Sequence, residues 1–251
     1  MAAVRVALVL AVTFALAPIV GLFASVPPPE ALAALRDPDA AGAARTSLEA
    51  AALALAVATF LGVPAGYLAA RATAALRTLL LFVFALPLAL PPVASGIALL
   101  GLFGRHRPVG AFLEAHGVPV VDAFAGVAIA QYDVAGSLVA VAATAAFSGV
   151  DPALEDAART LGASRLRAML TIAVPLAAPG LAAGILLAFL RALGEYGATA
   201  MLAYHPTSLP IQLATTLESR GFAPALALAE AFVAFAGLAV LAASLLQRRS
   251  R

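Results

Sequence analysis

Apolar positions in this chain neither alternate nor form the narrow stripe of a surface helix. They come in long unbroken runs divided by short polar stretches. A helix needs about 20 consecutive apolar residues to cross a bilayer. Six windows meet that length, at 4–26, 47–70, 78–103, 123–147, 176–200 and 225–246. They predict an all-α membrane protein with six transmembrane helices. The second window opens on Thr46-Ser47-Leu48-Glu49, a capping-box pattern that would satisfy the first free amides of a helix there. After the fourth window, Asp151-Pro152 predicts an N-cap followed by proline at the first helical position. Gly162 suits the left-handed turn that ends such a helix, so a short helix is expected over 152–161. Another is expected from Gly110 to His116. The first window has Arg5 ahead of it and small residues near Ala24-Ser25, as a secretory signal does. Its apolar run exceeds the roughly 7–15 residues of a signal core, so it reads as a span.

Arginine placement orients the spans, because cytoplasmic loops carry the basic excess. With the N-terminus inside, the inside segments hold Arg5, Arg71, Arg77, Arg159, Arg165, Arg167, Arg248, Arg249 and Arg251. The outside segments hold Arg36, Arg45, Arg105, Arg107 and Arg220, which makes nine against five. Both termini and the 148–175 loop are therefore expected in the cytoplasm. The outside loops, 104–122 and 201–224, would form a docking face for an external protein.

Composition agrees with the pattern. The chain is 63% hydrophobic and 11% charged, with a mean hydropathy of +1.03. A soluble domain carries about 25% charged residues, so there is too little polar surface here to cover a globule in water. A net charge of +2 is too small to point to nucleic acid. All 15 basic residues are arginine, and there is no cysteine. That leaves no disulfide, thiolate metal site or cysteine nucleophile. His106, His116 and His205 are scattered over expected loops and make no metal site.

The most informative stretch is 155–180, EDAARTLGASRLRAMLTIAVPLAAPG, a polar loop between two apolar runs. Its Asp156-Ala157-Ala158, Gly162, Ile172, Val174 and Pro175 keep the residue spacing of Glu-Ala-Ala, Gly, Ile and Leu-Pro in the EAA loop of ABC importer permeases. Asp156 replaces Glu and Val174 replaces Leu. Leu86 to Pro92 resembles the LPLxLPP stretch of oxyanion permeases. Arg191-Ala192-Leu193-Gly194-Glu195-Tyr196-Gly197-Ala198-Thr199 resembles the signature of molybdate and tungstate permeases, as do Tyr204-His205-Pro206-Thr207 and Leu209-Pro210. The chain is thus similar to ABC importer permeases of the molybdate/tungstate type, over roughly residues 45–245.

That resemblance implies a type I importer permease fold in a single transmembrane domain, 1–251, located in the cell membrane. It implies a homodimer working with a cytoplasmic ABC ATPase dimer and an extracytoplasmic substrate-binding protein. It also implies that the ATPase grips the loop through Glu155, Asp156, Ala157, Ala158, Gly162, Ile172 and Pro175. No cofactor is expected in this chain. ATP would bind the partner, since a phosphate loop needs a lysine and there is none. Leu154, Ala158 and Leu161 share a helical face. Arg165 and Arg167 are placed to meet acidic partner groups or lipid headgroups.

Two spans carry charge. Asp133 falls near mid-depth of the fourth, where a lone carboxylate is costly and needs a partner. Arg191 is the best candidate partner, and Glu195 lies one turn beyond it. Arg191 is open to two readings, a structural pair or an oxyanion contact beside the pathway with Tyr196 and Thr199. The pairing reading is preferred because intramembrane charges usually pair with each other.

Three functions compete with molybdate or tungstate import. Sulfate or another oxyanion is the nearest. An ion-coupled secondary transporter would use buried acids such as Asp133 and Glu230, but it predicts inverted repeats that the sequence does not show. An intramembrane enzyme lacks any HExxH motif or paired aspartates.

Overall fold

The computed structural model describes the backbone of residues 1–249, and all side chains there except those at 35, 239, 240 and 242–249. Within these bounds every regular element is helical. α1 (Ala2–Ser25) is apolar all round and buries none of its residues. Such a helix requires an apolar surrounding, here lipid. α2 (Pro28–Arg36) is short, and α3 (Pro38–Ala70) is the longest element. α3 is capped by Asp37, whose carboxylate accepts from the Asp39 amide at 3.0 Å.

The capping box expected at Thr46-Ser47-Leu48-Glu49 does not form, because those residues lie inside α3. Ser47 is buried inside α3, and its hydroxyl accepts from the Leu209 amide at 2.8 Å. It therefore holds the first amide of a different helix, α12 (Leu209–Arg220).

α4 (Ala74–Ala89) and α5 (Pro92–Phe103) follow, then α6 (Pro108–Ala115) and α7 (Phe124–Ser148). α3 and α7 form the centre of the bundle. α3 turns a face of small residues toward α7, among them Ala51, Ala54, Ala58, Gly62 and Gly66. Small residues let membrane helices approach closely. At Gly66 an added Cβ would lie 2.5 Å from the Ala143 Cβ, so nothing larger than glycine fits without displacing α7. α8 (Pro152–Thr160) and α9 (Arg165–Ala168) precede a π-helical turn at Met169–Ala173. The turn runs directly into α10 (Val174–Leu193), which packs on α7 and α3 and joins their core at Ala188, Ala192 and Leu193. α11 (Gly197–Leu202), α12 (Leu209–Arg220) and α13 (Phe222–Arg249) complete the chain.

The count of six spans is not what the structure contains. Among the described residues four helical runs are long and apolar enough to cross a membrane: α1, α3, α7 and the continuous run Arg165–Leu193. A fifth is counted only if α4 and α5 are joined. The third window fails as a straight span because its axis turns by 105° between α4 and α5. The turn falls at Leu90-Pro91-Pro92, where the proline rings remove amide donors and exclude a helical residue before them. The fifth window ends early, at Leu193, because Gly194, Glu195 and Tyr196 break the helix. In the sixth, the apolar helix is only Phe222–Leu238 over the described residues. The placement of both termini in the cytoplasm assumed an even six and loses that support. Residues 250–251 and the side chains of Arg248 and Arg249, which entered the arginine count, lie outside the described residues.

Candidate functional site

The C-terminal ends of α3 and α7 and the N-terminal end of the Arg165–Leu193 run meet at one end of the bundle, and α8 is suspended across them. α8 forms for local reasons. Asp151 accepts from the Ala153 amide at 2.9 Å, and Pro152 occupies the first turn. Gly162 then adopts φ +94°, which L side chains rarely reach, and its amide donates to the Arg159 carbonyl at 3.0 Å. The helix is exposed almost everywhere. Leu154 is 48% exposed and Leu161 89%, so the apolar face expected from the sequence is left largely open in this chain. Asp156 points outward and pairs only with Arg159, at 3.0 Å. Ala157 is exposed and Ala158 half-buried.

Glu155 is the exception, at 6% exposure. Its carboxylate accepts from the Tyr67 hydroxyl at 2.5 Å and from Arg71 Nε at 2.9 Å, and Arg71 Nη2 also donates to it. Arg71 Nη1 donates to the Phe147 carbonyl at 3.0 Å, in the last turn of α7. A cation there meets the negative end of the helix dipole. The Tyr67 ring packs edge-on against Phe147, with centroids 5.3 Å apart. One carboxylate therefore ties α8 to the ends of two central helices. Tyr67 and Arg71 escaped the sequence reading. Arg71 was visible only as one of the inside arginines, and nothing local marks a partner 84 residues away.

Ile172 sits half-buried in the π turn, between buried Ala168 and Ala173. Pro175 lies in the first turn of α10, within a helical run that continues from Arg165 through the π turn. A proline lacks the amide that an α-helix would use there, and a π turn just before it accommodates the loss.

The second group of predicted residues lies at the break between α10 and α11. Arg191 Nη1 lies 2.6 Å from Glu195 Oε2. Glu195 Oε1 accepts from the Ala198 amide at 2.8 Å, capping α11. The carboxylate is 1% exposed and the arginine side chain 40%. Asp133, the partner first considered for Arg191, does not take that role. It lines a cavity of about 250 Å³ with Tyr132, Phe84 and Pro87, and one of its oxygens is buried without a hydrogen bond. Thr199 is fully buried, and its hydroxyl reaches the Glu195 carbonyl at 3.4 Å. Tyr196 is 44% exposed and opens onto an apolar groove lined by Leu213, Leu217 and Phe222. The structure thus brings Arg191, Glu195 and Thr199 together, places Asp133 near them without an ion pair to Arg191, and turns Tyr196 toward the groove. Among the described residues no group of side chains could hold a metal ion.

Exposed apolar helices, a suspended polar loop and a broken-helix core define a multi-pass membrane protein of the transport class. Residues 62–251 match the model of the binding-protein-dependent transport system inner membrane component, and the chain belongs to that family. It is a permease subunit of an ABC importer and not an enzyme. The chain is 42% identical over 199 residues to a Haloferax volcanii protein named "Probable molybdenum ABC transporter permease protein", covering 79% of this chain and 72% of that one. It is 40% identical over 154 residues to the molybdenum transport system permease protein ModB of Escherichia coli K12, covering 61% and 67%. Its fold matches that of a chain in the crystal structure of a bacterial ABC transporter that imports the acidic polysaccharide alginate. The TM-score is 0.73 at 16% identity, over 98% of this chain and 95% of that one.

Proposed function

We propose that this permease passes a tetrahedral oxyanion of the molybdate/tungstate type across the cell membrane. It works as a homodimer with a cytoplasmic ABC ATPase dimer and receives the anion from an extracytoplasmic binding protein. The α8 loop is the ATPase handle. The observation that carries this reading is the state of α8, which is bare on its Leu154 and Leu161 side yet rooted through Glu155. A helix that exposes apolar side chains while buried at one point is built to be covered by another protein. The substrate class rests on the relatives named for molybdenum and on Arg191 to Thr199.

The test is uptake by liposomes holding the permease, its ATPase and its binding protein. Molybdate uptake should require ATP and the binding protein, and excess tungstate should suppress it while excess sulfate does not. Suppression by sulfate at equal concentration would move the assignment to the sulfate-type reading. In the same system Gly162→Pro, which removes the donated amide and cannot adopt φ +94°, should uncouple ATP hydrolysis from uptake.

A further inference from the structure

We infer that Tyr67, Arg71 and Glu155 form a strut that makes α8 move as one body with α3 and α7, so that the ATPase drives the two central helices directly. This rests on the ATPase-handle reading above.

α8 is joined to the spans in three ways. The chain enters it from α7 through residues 149–151, and leaves it through Gly162 and α9 into the π turn and α10. Gly162 is a pliable joint with open space around its α-carbon. The third is Glu155, which alone reaches α3. The remaining side-chain hydrogen bonds of α8 stay within the helix: Arg159 to Asp156, and Thr160 to the Ala157 carbonyl. Glu155 is also its one buried residue. Without the strut, a pull on α8 reaches α7 and α10 along the chain, and among the described residues it has no hydrogen-bonded route to α3.

The geometry suits a rigid link. Arg71 is a planar fork whose donors are divided between Glu155 and the Phe147 carbonyl, which fixes the guanidinium against both helices. Tyr67 holds the second carboxylate oxygen and braces its own ring on Phe147. α3 and α7 are in turn locked by the close approach at Gly66, one residue before Tyr67. Movement of Glu155 is therefore movement of the α3–α7 pair. Arg71 and Tyr67 are positioning residues and touch no substrate.

The test uses the reconstituted complex of permease, ATPase and binding protein. Arg71→Gln and Tyr67→Phe should still assemble and hydrolyse ATP, because both residues lie on or at the end of α3 and the exposed face of α8 is intact. Anion uptake per ATP hydrolysed should fall about tenfold, the scale of a lost coupling interaction. Wild-type uptake per ATP in both variants would overturn the strut.

A second measurement does not depend on the variants folding. The chain has no cysteine, so Leu154→Cys with Leu68→Cys, in one copy diluted into an excess of the unaltered chain, gives one spin-label pair across α8 and α3. Their distance should be narrow and unchanged between nucleotide-free and ATP-trapped complexes. A shift between those states would overturn the proposal. If the unaltered complex shows no binding-protein-stimulated hydrolysis, the importer reading itself fails, which is a different result.

Discussion

Two of the arginine–glutamate pairs in this molecule have a buried carboxylate, and these two differ in almost every respect except chemistry. Arg191–Glu195 spans one helical turn at a break between α10 and α11. Arg71–Glu155 joins residues far apart in the chain, where three helices end. In the first pair the acid is sealed and the base half-open, at 1% and 40% exposure. In the second both partners are mostly buried, at 8% and 19%. The first pair is a local repair: it neutralises a carboxylate that is already needed to cap α11. The second is a connection between elements that nothing else polar joins. Identical chemistry thus keeps a helix break in one place and builds a linkage in the other.

The comparison breaks most sharply at Arg191. Arg191→Leu leaves the Glu195 carboxylate buried and uncompensated in the membrane interior. Removing one partner of such a pair costs about 3–5 kcal/mol. Folded yield in detergent should fall steeply, and Glu195→Gln added to it should recover part of the loss. Glutamine keeps an oxygen for the Ala198 amide while discarding the charge. If the double variant is no better than the single, then charge burial is not what Arg191 relieves.

Arg71→Leu should cost less, about 2–3 kcal/mol, because Glu155 lies at the end of the bundle and keeps the Tyr67 hydroxyl. Tyr67→Phe should cost about 1.5–2 kcal/mol as a lost hydrogen bond to a charged group. Thermal unfolding of the purified permease checks the order. The reverse order would mean that Tyr67 carries α8 and Arg71 only shields the acid.

The two pairs also mark what the sequence could show. Arg191 and Glu195 are four apart, so helical spacing alone brings them together. The N-cap at Asp151-Pro152 and the turn at Gly162 are readable for the same reason, since each is settled within a few residues. Arg71 and Glu155 meet only because α3 and α7 pack and α8 folds back over their ends. No periodicity encodes that. The span count failed in a related way. Apolar run length reports that a segment prefers lipid, but not that Pro91-Pro92 turns its axis by 105° or that Gly194 stops a helix inside an apolar window. Thr46-Ser47-Leu48-Glu49 looked like a helix start but lies inside α3, and Ser47 serves α12 instead, a partner that packing chose.

A third ion pair, Arg220–Asp37, sets the lower end of the comparison. It lies at the corner of α2, α3 and α12, with Nη1 and Oδ2 2.6 Å apart and Arg220 half exposed. Water and salt screen such a pair, so its contribution should be the smallest of the three. It is the one whose titration is accessible. The Arg220 hydrogen bond, then the Asp39 amide, hold the Asp37 carboxyl below the ordinary aspartate value of 3.8. The same partner raises Arg220 above its ordinary value. A lowered acid contributes stability that is present above the unfolded value and is lost as pH falls through the folded one. Unfolding midpoints should therefore be flat from neutral pH down to about 4 and drop below it. Asp37→Asn should remove that part of the drop while changing the neutral midpoint little, because asparagine still accepts from the Asp39 amide. Added salt should mimic the variant at neutral pH. A large neutral-pH loss in Asp37→Asn, comparable to that of Arg71→Leu, would show that exposure does not rank these pairs.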